Sequence, residues 1–268
     1  TGGMVSIVGA DAGAHKIANN TIGSQIVQMS QANSLATYLE VRGTRNAAAT
    51  IEVSGNTIQN YSNIGAFIQR SDNVTLSGNT FTPFQDASNT NFASIVFSSK
   101  EGTSGAQSAV ESKNLTITAN TFNGSGVNGG TGVLFLNHNA AALIKPLTNA
   151  KIGGSDADKN TFNASLDKYI SLDATVSGTS AALTALYGAQ NVTNTTNILP
   201  FDADIDASYN VFGAVNTGTS TNFDDLVAVK AKILDGVDNG LTGYVNIQPQ
   251  KAFIGLTTNK ANALSKVR

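Results

Sequence analysis

Residues 65–81 read GAFIQRSDNVTLSGNTF, and this stretch decides the fold. A short alternating segment, Val74 to Leu76, is followed by a serine and a glycine and then by an asparagine, a threonine and a large apolar residue. The phrase Asn, then Thr or Val, then Ile or Phe occurs six times, at Asn20, Asn56, Asn79, Asn120, Asn160 and Asn210. A phrase that recurs in this way, mostly after β-type residues, predicts a solenoid of repeated coils.

The intervals between successive asparagines indicate the kind of solenoid. Asn56 and Asn79 are 79 − 56 = 23 residues apart, and the other intervals are longer. A coil of three short strands, at about 3.3 Å per residue, joined by three tight turns needs on the order of 20 residues. The shortest interval therefore predicts one bare coil. The longer intervals predict coils with inserted loops, including the Gly- and Ser-rich segments 98–112 and 124–130.

The recurring asparagine is expected to occupy one turn of every coil. Asn tolerates the left-handed backbone conformation better than any other non-glycine residue. Stacked coils would place Asn above Asn, so that each side-chain amide donates to the next carbonyl in a structural ladder. The Ile or Phe two residues later would return to the interior and stack on its equivalents. The alternative is a chance recurrence of Asn-Thr pairs in a chain rich in both residues.

The pattern of apolar residues predicts the other elements. A helix is predicted from Phe223 to Val237, with Asp224 and Asp225 in its first turn and glycines at its far end. This helix and a terminal strand at 244–255 are expected to cover the C-terminal end of one domain, 1–268, whose coils span about 5–222. A shorter helix is predicted at 181–187. Strands are predicted at 5–8, 24–29, 36–41, 51–53, 66–69, 74–76, 94–97, 115–118, 132–136 and 169–172.

Residues 65–81 resemble the coil repeat of right-handed parallel β-helix proteins, the pectate-lyase-like superfamily. Two further phrases are similar to motifs of secreted bacterial members: residues 152–155, Ile-Gly-Gly-Ser, with Asn160 to Phe162, and residues 205–213, Ile-Asp-Ala-Ser-Tyr-Asn-Val-Phe-Gly. The resemblance spans roughly residues 16 to 255. It implies an all-β, single-stranded right-handed parallel β-helix with inserted loops and an extracellular or bacterial cell-surface location, but it specifies activity poorly.

Composition excludes several classes of function. Only 13% of residues are charged and the net charge is −2, so no basic field is available for nucleic acid or anionic lipid. Cysteine is absent, which excludes disulfides, thiolate nucleophiles and Cys-based metal sites. No stretch approaches the ~20 apolar residues of a membrane span, so direct membrane insertion is not expected. The start, Thr1-Gly2-Gly3, predicts a segment of a larger polypeptide.

Catalytic chemistry is not predicted. The resemblance implies that a lyase would need calcium held by acidic residues and a Lys or Arg base, and that a hydrolase would need clustered carboxylates. Here Glu40 and Glu52 are isolated in their strands. Two Asp-rich stretches could hold a hard cation, Asp202-Asp204-Asp206 and Asp156-Asp158-Asn160 with Asp167, but solvated turns are the favoured interpretation. No cofactor and no metal site are therefore predicted, with calcium as a weak alternative.

A mixed polar row is the candidate binding site. Aligning the strands places charged or polar residues near equivalent ends of successive coils, at Glu40, Arg42, Arg70, Asp72, Lys100, His138 and Asp173. Such a row could bind a glycan through hydrogen bonds and bidentate Arg contacts, whereas the alternative is a merely solubilising surface. A one-residue slip in a strand would reverse the face. The lack of Trp, with only six Tyr, weakens the enzyme and lectin interpretations.

The sequence therefore predicts a non-enzymatic extracellular β-helix module, a surface adhesin or stalk whose loops bind a host or environmental glycan or a surface protein. Two alternatives stay open. One is a polysaccharide-active enzyme of the same fold, a lyase, a glycoside hydrolase or a phage-type depolymerase. The other is a purely structural spacer in a larger fibre.

Overall fold

The structure is a computed structural model that describes residues 5–23, 37–90, 92–98, 112–136, 147–173, 205–235 and 244–249. Its strands form three seven-stranded sheets. Sheet 1 contains β1 (Val5–Val8), β4 (Thr37–Arg42), β7 (Ile64–Gln69), β10 (Ala93–Ser98), β13 (Thr131–Leu136), β16 (Lys168–Asp173) and β20 (Ile233–Leu234). Sheet 2 contains β2 (Gly13–Ala18), β5 (Ala49–Ser54), β8 (Val74–Ser77), β11 (Ser112–Thr118), β14 (Leu147–Ile152), β17 (Ile205–Asp206) and β21 (Val245–Asn246). Sheet 3 contains β3 (Thr21–Ile22), β6 (Thr57–Tyr61), β9 (Thr80–Pro83), β12 (Thr121–Phe122), β15 (Thr161–Phe162), β18 (Val211–Phe212) and β19 (Val215–Asn216).

The chain visits the three sheets in turn, so each strand from β1 to β15 pairs in parallel with the strand three places later, as β1 does with β4. β16 and β17 pair in parallel with β20 and β21, four places later. This topology is a parallel β-helix, and it confirms the predicted all-β solenoid. Because neighbouring strands lie about 4.8 Å apart, seven strands extend roughly 30 Å along the axis. The last step in sheet 3 differs, since β18 and β19 pair antiparallel.

A column of aromatic rings fills the interior behind sheet 3. Phe81, Phe122, Phe162 and Phe212 are each the apolar residue of the repeated phrase, and all are buried. Their successive ring centroids are 5.4, 4.6 and 4.9 Å apart, with nearly parallel planes. The period of the sequence therefore becomes a continuous stack of apolar contacts along the axis.

The six asparagines of the repeated phrase are hydrogen-bonded in series. In each step one asparagine donates its Nδ2 to the Oδ1 of the next asparagine at 2.9–3.1 Å. Its backbone N–H donates to the same oxygen at 2.9–3.0 Å. The ladder thus satisfies a main-chain donor of the turn as well as the side chains, which explains why a buried amide is tolerated there.

The conformational reason predicted for these asparagines is wrong. None of the six has a left-handed backbone, and in five coils the preceding residue has it instead, at Asn19, Gly55, Gly78, Ala119 and Tyr209, with φ of 54° to 63°. The preceding residue turns the chain, and Asn is required for its amide alone. A second, unpredicted ladder does use left-handed asparagines: Asn149 donates to Asn114 at 3.1 Å, and Asn114 donates to Asn73 at 2.7 Å.

The C-terminal elements differ from the prediction. Helix α1 (Phe223–Lys230) begins after the N-cap Asn222 and ends seven residues before Val237. Ile233 and Leu234, predicted as helical, form β20 and pair with Ile170 and Ser171 of β16, because the open edge of sheet 1 offers main-chain partners. β21, part of the predicted terminal strand 244–255, likewise pairs with β17. These strands therefore extend sheets 1 and 2 as a last coil.

Other predicted elements agree or cannot be compared. The predicted strands within the described ranges are all present, with ends that differ by up to three residues. The strand at 24–29 and the helix at 181–187 lie outside the described residues. Within the described ranges, no helix has the length and apolar character needed to cross a membrane.

Candidate functional site

The predicted polar row is displaced by one residue between coils. In the observed register, Arg42 lies beside Gln69, then Ser98, Leu136 and finally Asp173 at the end of β16. Arg70 follows Gln69 and is thus level with Gly43. Arg42 and Asp173 share a column, whereas Arg70 belongs to the adjoining turn. Lys100 and His138 lie outside the described residues.

Five charged residues meet where the chain passes from sheet 1 to sheet 2, and we name this group the charged corner. Its members are Glu40, Arg42, Arg45, Arg70 and Asp72. Arg42 Nε lies 3.6 Å from Glu40 Oε1, because residues two apart on a strand share one face. Arg45 Nε lies 4.0 Å from Asp72 Oδ2 and joins the turns of two successive coils. The sequence analysis missed Arg45, although its position three residues after Arg42 was a usable signal.

The carboxylates of the charged corner are buried, whereas the side chains of Arg42 and Arg45 are partly exposed. Glu40 is 5% exposed and Asp72 is 9% exposed. Asp72 Oδ1 also accepts a hydrogen bond from the backbone N–H of Lys113 at 2.8 Å, so Asp72 fixes the turn of the following coil. The side chains of Arg42 and Arg45 are 33% and 39% exposed. The charged corner therefore presents mainly guanidinium groups to solvent.

Arg70 has an unusual backbone. Its φ is +46°, a left-handed conformation that costs a non-glycine residue about 1–2 kcal/mol. The two preceding coils have glycine at this position, Gly9 at +60° and Gly43 at +69°. A guanidinium nitrogen of Arg70 lies 3.6 Å from the point where a Cβ on Gly43 would be. The chain thus places an arginine where the backbone favours glycine, in the turn that also contains Asp72.

An apolar row lies next to the charged corner on the outer face of sheet 1. Phe67 is in register with Glu40, and Val96 and Leu134 continue the row. Their neighbours, such as Ala66 and Ile68, belong to the interior core, so alternation directs Phe67 outward. All three are nevertheless buried. The sequence analysis missed this row; its signal was the unbroken apolar runs of β7, β10 and β13, typical of strands buried on both faces.

Carboxylates elsewhere have structural partners. Lys16 contacts Glu52 at 2.8 Å, and its hydrogen bond lowers the pKa of Glu52. The Ser155 hydroxyl lowers the pKa of Asp158, and the Ser88 hydroxyl lowers that of Asp86. A general acid needs a raised pKa. The pKa shifts resolved for carboxyls in the described part of the chain are thus in the opposite direction.

The side-chain oxygens of the two Asp-rich stretches that could hold calcium have other partners. Asp156 pairs with Lys159 at 3.0 Å, Asp158 pairs with Lys151 at 3.4 Å, and Asn160 belongs to the ladder. Asp206 accepts from the backbone of Ser208, while Asp202 and Asp204 lie outside the described residues. Among the residues that the structure describes, no three His, Cys, Asp or Glu side chains form a metal-binding group.

Comparisons of the chain with protein-family models, curated proteins and solved structures find no match. No relative therefore lends this chain a function, and the geometry of the charged corner has to support one by itself.

Proposed function

We propose that the chain is a non-enzymatic extracellular β-helix module, a surface adhesin or stalk that binds a glycan or a surface protein. The observation that carries the proposal is the left-handed conformation of Arg70 where the two preceding coils have glycine. Strain of this kind persists where a side chain is needed for something other than folding. The side chain that replaces glycine here carries a guanidinium, one nitrogen of which lies 3.6 Å from the point where a Cβ on Gly43 would be.

The chemistry of the corner favours an anionic partner. Three guanidinium groups face two carboxylates, so the corner has an excess of one positive charge in a chain of net charge −2. A planar guanidinium matches a carboxylate or sulfate with two parallel hydrogen bonds. Uronate-containing or sulfated glycans and acidic protein surfaces therefore fit best. The ladder and the phenylalanine column hold the corner on a rigid rod, which reduces the cost of ordering it on binding.

A polysaccharide-active enzyme is the second candidate, and one contact favours it. Arg42 lies 3.6 Å from the buried carboxylate of Glu40, and a basic group beside an acid is the least that a lyase needs. Calcium would be the cofactor in that case, with weak support. A purely structural spacer is the third candidate, since the continuous ladder alone would suffice for it. The cell-surface location rests on the resemblance of the coils to those of secreted proteins.

A glycan array, with parallel assays for reducing sugars and unsaturated products, tests the proposal in the presence and absence of calcium. We expect binding to anionic glycans without turnover. Arg70→Gly should weaken binding at least about 10-fold, the effect of losing roughly one charge-assisted contact. Lys159→Ala, which removes a cation from an ion pair elsewhere, is the control and should bind normally.

The outcomes separate the three candidates. Turnover of any polymer would refute the non-enzymatic proposal. If neither glycan binding nor turnover is detected, the structural spacer is the candidate that remains. Equal glycan binding by the native protein and by Arg70→Gly would show that the charged corner does not contribute to binding. Because glycine relieves the left-handed strain but costs about 0.5–1 kcal/mol of backbone entropy, the stability of Arg70→Gly should be equal to or slightly above that of the native protein.

A further inference from the structure

The asparagine ladder has a direction, and its C-terminal end is closed. Each asparagine donates to the one in the next coil, so the last of them, Asn210, needs an acceptor beyond it. Thr217 supplies that acceptor: its hydroxyl oxygen accepts the backbone N–H of Asn210 at 3.2 Å. The same hydroxyl and the backbone N–H of Thr217 lie within hydrogen-bond distance of the Asn210 carbonyl. The antiparallel turn between β18 and β19 brings Thr217 back to this position.

The N-terminal end of the ladder is open. The Oδ1 of Asn56 accepts two hydrogen bonds from Asn20, and the equivalent oxygens of the later asparagines are occupied in the same way. No described residue donates to the Oδ1 of Asn20, which is exposed. The Nδ2 hydrogens of Asn20 are already used, on Ala18 O and on Asn56 Oδ1. Within the described ranges, this end of the ladder therefore offers an acceptor and no donor.

Other groups of the first coil also lack partners on this side. β1, β2 and β3 are the end strands of their sheets, so each has one edge without a neighbouring strand among the described residues. Val8 in β1 is 54% exposed. The Nε2 of His15 in β2 is buried and makes no hydrogen bond, although His15 shares a column with the core residue Ile51. An edge of this kind is a template for adding a strand.

We propose that the N-terminal end of the solenoid is a docking surface for a further parallel β-coil that carries a donor asparagine at the corner above Asn20. A second copy of this chain does not fit. A symmetric pairing of two N-terminal ends would face acceptor against acceptor, because a two-fold interface repeats the same groups. Pairing with the C-terminal end of another copy would meet Thr217, which already closes the ladder. The partner is thus a different coil with its ladder donor unused.

The chain itself supplies a coil with which to test this. Residues 64–79 followed by residues 57–63 make one bare coil of 23 residues, which can be fused directly before Gly3. The Asn79 of the added copy then lies above Asn20. The matched control carries Ala at that position of the added copy only. The proposal does not depend on ligand binding at the charged corner, so either can fail without the other.

We expect the asparagine coil to fold onto the parent protein. The melting temperature should rise, and it should exceed that of the alanine control by about 2–4 °C, the shift expected for roughly one hydrogen bond in a chain of this size. Hydrogen exchange of the β1 and β2 amides should slow at least about 10-fold. Asn20→Ala in the fused chain should abolish the difference between the asparagine and alanine coils.

Four results would overturn the proposal. One is an added coil that proteases remove while the melting temperature stays unchanged. Another is equal stability of the asparagine and alanine fusions, which would show that the ladder does not extend. The third is self-association of the unmodified protein, measured by sedimentation velocity and lost in Asn20→Ala, which would assign this end to a second copy. A fusion that unfolds the parent coils would also count against it.

Discussion

Replacing Asn120 by alanine should show how much the ladder stabilises the fold. Asn120 is buried in the middle of the ladder. Its side chain makes five hydrogen bonds, accepting two from Asn79 and donating to Asn160, Leu76 and Thr118. Among the described residues the backbone N–H of Asn79 has Asn120 as its only acceptor, so the substitution leaves this N–H without its partner at a cost of about 1–3 kcal/mol. The other lost bonds raise the total to about 2–5 kcal/mol.

Asn20→Ala is the matched control, because Asn20 begins the same ladder, is exposed and accepts no side-chain hydrogen bond from a described residue. Its cost should be below about 1 kcal/mol, since water can replace the lost partners. Urea unfolding followed by circular dichroism measures both free energies of unfolding. Equal losses at Asn20 and Asn120 would refute the reasoning that burial of the ladder, and not the asparagine alone, provides the stability.

Three further predictions concern other parts of the molecule. Phe122→Ala should lower the free energy of unfolding by about 3–5 kcal/mol, because the ring is buried between two stacked phenylalanines; urea unfolding measures this, and a loss below about 1 kcal/mol would contradict it. Lys16→Ala should raise the pKa of Glu52 toward its ordinary value in an NMR titration. The stability from the depressed pKa is present above the unfolded pKa and lost as pH falls through the folded one, so this acid dependence should weaken. Lys230→Met should cost about 3–5 kcal/mol, because it removes the cation that forms an ion pair with the fully buried carboxylate of Asp235; hydrogen exchange should localise the loss to β20 and β21, and uniform exchange would contradict that.

The repeat predicted much of the fold because its information is local. The Asn, Thr and Phe of each phrase occupy the turn, the outer face and the interior for reasons that act within a few residues. The helix was predicted too long for a non-local reason: Ile233 and Leu234 fit a helical period equally well, and only the free edge of β16 draws them into a strand. The candidate site was less predictable. The sequence predicts Arg42 and Arg70 near equivalent ends of successive coils but does not fix the exact register, which places Gln69 beside Arg42.

The sequence by itself determined that the chain is a solenoid, which asparagines recur at one corner and which phenylalanines stack behind them. The reason is that each coil repeats the same short pattern of turn, outward-facing and inward-facing residues. Only the tertiary structure decided that the residue before the ladder asparagine turns the chain, that Phe67 is buried on an outer face and that Arg42, Arg45 and Arg70 lie at one corner of two successive coils. It also decided that one end of the ladder is closed by Thr217 and the other is open at Asn20. These properties depend on contacts between residues in different coils, and a one-residue change of register reassigns all of them.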